Sequence, residues 1–192
     1  MLFRSRTDSF DLTPWDQTLV LDADYVVASD HLGMILARDQ DFMCYRHSID
    51  ITRPAEKLLP CFGRHQFPMW WATVMMFRRG SVSQYIFDTM TMIRQNWQHY
   101  RDLCHVHQSN YRNDIALSIA LGLVAGAEQS VHAIPYTLMN VQPTSSLHQL
   151  DTDYYEIVYQ NSHNRTHSFS WRGIDFHAMG KGHLETIIAA SR

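Results

Sequence analysis

The stretch that decides the reading is Thr18–Asp30, TLVLDADYVVASD. Thr18–Leu21 and Tyr25–Val27 carry the aliphatic, aromatic and β-branched side chains of a buried strand, and Pro14 and Trp15 mark a turn before it. The spacing predicts one strand over Thr18–Ala28. Asp22 and Asp24 interrupt its middle. An ionised carboxylate among apolar neighbours is costly unless it meets a cation or a metal. Residues two apart on a strand project to one side, so both acids are expected to converge on one ion. Oxygen ligands of this kind suit Mg²⁺ or Mn²⁺. Two acids leave an incomplete shell, to be filled by water, another side chain or a phosphate-bearing substrate. The plainer reading is a turn at a strand end, with the acids capping backbone amides. Asp30 reads as the cap of a short helix over His31–Ala37.

Composition bounds the rest. The chain has 192 residues, which suits one domain over residues 1–192. Hydrophobic residues at 45% supply a core, and a formal net charge of −3 gives no global basic field to draw nucleic acid. Cys44, Cys61 and Cys104 are odd in number and lack a CxxC, which reads as free thiols in a reducing, cytoplasmic compartment. No apolar run approaches the ~18–20 residues of a membrane span, and the N-terminal segment lacks the apolar core of a signal peptide.

Along the chain, Asp39–Pro68 reads as loop with short pieces, and Trp70–Arg78 as a second strand. Ser81–Cys104 reads as one long helix, because Ile86, Met90, Ile93, Trp97, Tyr100 and Cys104 recur every three or four residues; Ser81 or Ser83 would cap it. A second helix is expected over about 113–125, capped by Asn110 or Asn113 and ended at Gly126, with apolar residues nearly all round it. Strands follow at Tyr136–Val141, Tyr154–Tyr159 and His167–Arg172, the last two as a hairpin, and then a helix over Gly182–Ala190. The order is mixed α/β. Cys104-His105-Val106-His107 offers soft ligands without a zinc spacing, Trp70 and Trp71 a stacking platform, and Arg78 and Arg79 phosphate contacts.

Three motifs, in order, carry a resemblance. TLVLDADYVV resembles the Asp-x-Asp strand of GT-A-fold nucleotide-sugar glycosyltransferases, in particular the glycogenin and bacterial lipooligosaccharide galactosyltransferase group. Phe176-His177-Ala178-Met179-Gly180-Lys181-Gly182 is similar to that group's late His-x-x-Gly-x-x-Lys segment. Asn113-Asp114-Ile115-Ala116-Leu117-Ser118 is similar to its acidic helix start, and Ile134–Asn140 to the strand that often follows. The spacing also resembles small predicted glycosyltransferases of tailed phages. The resemblance covers Thr18–Lys181 and implies an α/β, GT-A-like mixed sheet flanked by helices. It implies Asp22, Asp24 and His177 as ligands of Mn²⁺ or Mg²⁺, with Asp22 on the metal or the donor ribose. Gly180 and Lys181 would approach the diphosphate, with Gly182 leaving open backbone beside them. Asp114, with Asn113, would orient the sugar or take the acceptor's proton. The implied activity is metal-dependent transfer of a sugar from a nucleoside-diphosphate donor to a hydroxyl acceptor, either a saccharide or a modified DNA base, in the cytoplasm (the host's, if the chain is viral).

The chain departs from that pattern at the front, where only 17 residues precede Thr18. A single crossover unit takes ~30 residues or more, so 1–17 reads as the remnant of a preceding helix and loop, N-terminally truncated relative to the family. The Pro-Trp tail after the lysine is also replaced by His183-Leu184-Glu185. A fragment, a second chain supplying the nucleoside pocket, or a domain that has lost transfer activity would each account for this. The exposed sheet edge is expected to be covered by a homo-oligomer or a partner chain. The alternative function is a non-catalytic binding or assembly subunit; a weaker one is a metal-dependent phosphohydrolase.

Overall fold

The computed structural model describes residues 6–53, 61–124, 131–161 and 163–190, and the side chains of Lys181 and Ala190 are outside that description. Gly126, the expected helix end, is likewise outside the described residues. The chain is mixed α/β and divides into two compact units: Met1–Leu21, Leu36–His47 and Leu59–Tyr136 form the first, and Asp22–Ile35, Ser48–Leu58 and Thr137–Arg192 the second. No described helix is long and apolar enough to cross a membrane.

The first unit is built on β7 (Trp71–Arg78). Its interior residues are buried from Ala72 to Phe77, which is why the sequence there is a near-continuous apolar run rather than an alternating one. β7 pairs antiparallel with β1 (Gln17–Leu21) on one side and β3 (Phe42–Tyr45) on the other. β8 (Val131–Ala133) adds parallel to β3, giving the order β1-β7-β3-β8. The helix α5 (Asn113–Leu123) packs on β7 and against α3 (Ser81–Gln95). Ile115–Leu121 are all buried, as the all-round apolar pattern requires. Phe42, Phe77 and Phe87 meet in the core, with the Phe77 and Phe87 rings 4.8 Å apart; each such side chain contributes about 1.5–3 kcal/mol by burial.

The second unit holds two sheets. One has the order β2-β13-β9-β4, from Tyr25–Val26, Phe176–Ala178, Thr137–Val141 and His47–Asp50. The other is an antiparallel meander of β10 (Ser146–Asp151), β11 (Tyr154–Gln160) and β12 (Thr166–Arg172), so the expected hairpin is present. Leu147, Tyr155, Ile157, Trp171 and Phe176 form its core, and α6 (Lys181–Ala190) packs on β10 and β13.

Three expectations need correction, and a fourth is filled in. Thr18–Ala28 is not one strand: β1 ends at Leu21, Asp22–Asp24 is a turn closed by the Tyr25 N–H donating to the Asp22 carbonyl at 3.1 Å, and β2 resumes in the other sheet. The turn leaves the two carboxylates at 20% and 34% exposure. The long helix breaks at Asn96, which sits at φ −118°, ψ 37°. Its side-chain amide donates to the Met92 carbonyl at 2.9 Å, offering the backbone a local alternative to the helical bond. The second piece, α4, is Trp97–Leu103. The serine and asparagine caps are absent as well: Gly80 and Arg112 occupy the cap positions, without side-chain cap bonds, and Ser83 instead donates to the Asp41 carbonyl. Finally, the short pieces expected within Asp39–Pro68 include, among the described residues, the fully buried strand β3, with β4, β5 (Cys61–Phe62) and β6 (Phe67–Pro68) beside it.

Candidate metal centre

The second unit brings Asp22, Asp24 and His177 together, with one potential ligand atom from each lying within 4.8 Å of the others. Three local devices do this. β2 runs antiparallel to β13 with Tyr25 opposite His177 and Val26 opposite Phe176. The Ala178 N–H donates to the Asp24 carbonyl at 2.8 Å, which ties the acidic turn to the histidine strand. Asp175, 5% exposed, then clasps the segment that follows the turn: Oδ1 accepts from the Ala28 N–H and the Ser29 hydroxyl, each at 2.8 Å, and Oδ2 from the Tyr25 hydroxyl at 3.3 Å. Those bonds satisfy a carboxylate that would otherwise be an unpaired buried charge.

The protonation pattern of His177 follows from its other neighbour. On β9, Asn140 lies opposite His177 in parallel register and is 2% exposed. Its Nδ2 donates to the Ile49 carbonyl at 3.1 Å and to the Ser48 hydroxyl at 2.5 Å. A carbonyl accepts only, so the amide is oriented with Oδ1 toward the histidine. The Nδ1 of His177, 3.0 Å from that oxygen, therefore carries the proton and donates it. In the neutral ring Nε2 then presents a lone pair 3.1 Å from Asp24 Oδ1 and 3.9 Å from Asp22 Oδ2. Three electron-rich atoms facing one point are relieved by a cation between them or by a second ring proton. The donor set fits a divalent ion, and the Asn140–His177 contact is the outer support that metal-binding histidines use to fix tautomer and ring orientation.

The other sequence-predicted residues are placed differently. Asp114 belongs to the first unit, in the first turn of α5, and both its oxygens are engaged: Oδ1 accepts from the Ala72 N–H at 2.8 Å and Oδ2 from Arg112 at 2.9 Å. Asn113 is the first residue of α5. Gly180 donates its N–H to the Ala178 carbonyl, and a Cβ there would stand 3.0 Å from Pro143 Cβ, closer than ordinary contact. A Cβ on Gly182 would meet nothing within 4 Å. Lys181 opens α6, and its side chain is outside the described residues. Arg78 bonds the Arg38 carbonyl, Arg79 the Phe10 and Thr13 carbonyls, and Trp70 lies under the Arg46 guanidinium at 5.6 Å. Among the described residues Cys104, His105 and His107 form no metal cluster.

Sequence reasoning singled out the three candidate ligands but assigned no role to Asn140 and Asp175, which hold them in place. Asn140 was legible only as part of a strand. Asp175 carried a signal, an acid two residues before the histidine, but its partners lie 146–150 residues away. No protein-family model matches the chain, and neither does a curated protein or a solved structure.

Proposed function

We propose that the chain is a divalent-metal-dependent glycosyltransferase that binds a nucleoside-diphosphate sugar at Asp22, Asp24 and His177 and passes the sugar to a hydroxyl acceptor. The observation that carries the reading is the convergence of Asp22, Asp24 and His177 on one point, with His177 Nδ1 turned to Asn140 Oδ1 so that Nε2 faces the two carboxylates. Mn²⁺ or Mg²⁺ bound there supplies charge neutralisation for a departing diphosphate. Asp24 and His177 would be direct ligands, with Asp22 on the ion or on the donor ribose. Asp175 and the Ala178–Asp24 bond hold the acidic turn against the histidine strand, so the ligands need little rearrangement on binding. Lys181 and the open backbone at Gly182 are assigned to the diphosphate, since the Gly180 N–H is engaged by the Ala178 carbonyl. The partial exposure of all three ligands, 14–34%, leaves a face of the ion for water or phosphate oxygens.

The test is product analysis. The protein is incubated with Mn²⁺ or Mg²⁺ and a panel of nucleoside-diphosphate sugars, with and without mono- and oligosaccharide or hydroxymethylated-DNA acceptors. Metal-dependent release of nucleoside diphosphate, stimulated by acceptor and lost in Asp24→Ala and His177→Ala, is expected. Release that ignores the acceptor and yields free sugar would make the chain a phosphohydrolase. Metal binding without any turnover would make it a binding subunit.

A further inference from the structure

We propose that β12 is a self-pairing edge, on which a second copy of this chain adds its own β12 antiparallel about a two-fold axis at Phe169. β12 is the outer strand of its meander and pairs one for one with β11 from Tyr154/Arg172 to Tyr159/His167 and Gln160/Thr166, without a bulge. The direction of its free backbone groups follows from the ends of the hairpin. The Asn161 N–H donates to the Arg165 carbonyl and the Gly173 N–H to the Asp153 carbonyl. Hydrogen-bonded and non-hydrogen-bonded pairs alternate along an antiparallel ladder. Tyr159/His167, Ile157/Phe169 and Tyr155/Trp171 are therefore the pairs that exchange bonds inside the hairpin. Thr166, Ser168, Ser170 and Arg172 turn their N–H and C=O groups outward, where no described strand pairs with them.

The strand is symmetric at its centre, Ser168-Phe169-Ser170, and an aromatic ring stands one residue beyond on each side, His167 and Trp171. Turned about Phe169, Ser168 faces the partner's Ser170 as a hydrogen-bonded pair, using the outward groups. His167 faces the partner's Trp171, Thr166 faces the partner's Arg172, and Phe169 faces its own copy as a close non-bonded pair. One face of the seam is then aromatic and the other hydroxyl-bearing, a self-complementary isologous contact. Phe169 is 47% exposed alone although its ring stacks on Trp171 at 5.9 Å, and the seam would cover it. Charge does not oppose the pairing. Arg172 is the strand's only permanently charged side chain, and it is held by Asp151 and Asp153 and stacked on Tyr154 of its own sheet. Lysine, proline, inward acids and bulges, the usual guards of an edge strand, are all missing from β12. The product is a continuous six-stranded sheet, β10-β11-β12 joined to its copy.

Sedimentation velocity of the full chain over a range of concentrations tests this. A concentration-dependent dimer is expected, with Phe169→Lys raising the dissociation constant about tenfold or more at unchanged circular dichroism. Cysteine trapping, in a Cys61→Ser background, keeps the test independent of how that variant folds. A close non-bonded pair sets the two Phe169 Cα atoms at about 4.5 Å, within disulfide reach of about 4.4–6.8 Å. Oxidised Phe169→Cys should form covalent dimer, whereas Ser146→Cys on the opposite edge of the sheet should not. A monomer at all concentrations would overturn the proposal. So would a dimer that Phe169→Cys does not trap in preference to Ser146→Cys.

Discussion

His177 has its two ring nitrogens assigned different work by its neighbours, and the prediction at this scale concerns the neighbour rather than the ligand. Replacing Asn140 with leucine removes the acceptor for Nδ1–H and frees the ring to take either tautomer. Mn²⁺ affinity should fall by about 10–100-fold, the range for lost outer-shell support, as read by titration of the folded variant; unchanged affinity would show that Asn140 does not set the site. Asp175 gives a second contrast. Asp175→Ala removes the acceptor that the Ala28 N–H and the Ser29 and Tyr25 hydroxyls share, so a loss of about 2–3 kcal/mol is expected in denaturant unfolding. Asp175→Asn keeps an oxygen for Ala28 and Ser29, and the tyrosine hydroxyl can turn to accept, so the loss should stay below about 1 kcal/mol. Equal losses would mean that the buried charge, not the hydrogen bonds, is what matters. The three candidate ligands could be singled out in the sequence because few residue types bind metal and two of them interrupted an apolar run. Asn140 and Asp175 were not, because they act through hydrogen bonds closed over 37 and 146–150 residues.

Elements were legible where one face or the whole of a segment was apolar over several turns or pairs. β7, α5 and the β11–β12 hairpin lie close to where their patterns put them. The short strands were not. β3 is four residues long and β13 three, too few for a period to emerge, and their strand character comes from the ladders that flank them. The division of the acidic stretch between β1 and β2 was hidden for a related reason: both halves are strand-like, and the turn between them is closed by a backbone bond, Tyr25 N–H to the Asp22 carbonyl, that leaves no mark in the pattern. Corner packing is the second feature that pattern reading passes over. Gly180 sits between β13 and α6 with Pro143 against it, at 3.0 Å from a Cβ to the proline Cβ and 3.2 Å to its Cα. Neither proline atom can rotate away. Gly180→Ala should therefore cost about 1–3 kcal/mol by overpacking in thermal or denaturant unfolding, whereas Gly182→Ala, with open space, should be near neutral or stabilising. Equal effects would place the constraint elsewhere.

For the molecule as a whole, the predictions concern how stability depends on pH and on metal. His31, 9% exposed, has its pKa lowered by burial, against the opposing pull of Asp175 and Asp30. A histidine held neutral in the fold takes a proton more readily when unfolded. Its contribution is therefore complete above the ordinary value of about 6.5 and is lost as pH falls from there through the lower folded-state value. His31→Gln should flatten the pH dependence of unfolding free energy in that window, and an unchanged slope would assign the dependence to other groups. A metal that binds only the folded chain stabilises it by about 2.7 kcal/mol at a hundredfold excess over its dissociation constant, so Mn²⁺ should raise the unfolding midpoint of the wild type and not of Asp24→Ala. The central claim, a working donor site at Asp22, Asp24 and His177, is tested most directly by calorimetric titration of Mn²⁺ into the full chain, with and without a nucleoside diphosphate, beside Asp24→Ala and His177→Ala. The account predicts one site that tightens when diphosphate is present and disappears in both variants. Absence of binding in the wild type, or binding that both variants retain, would contradict it.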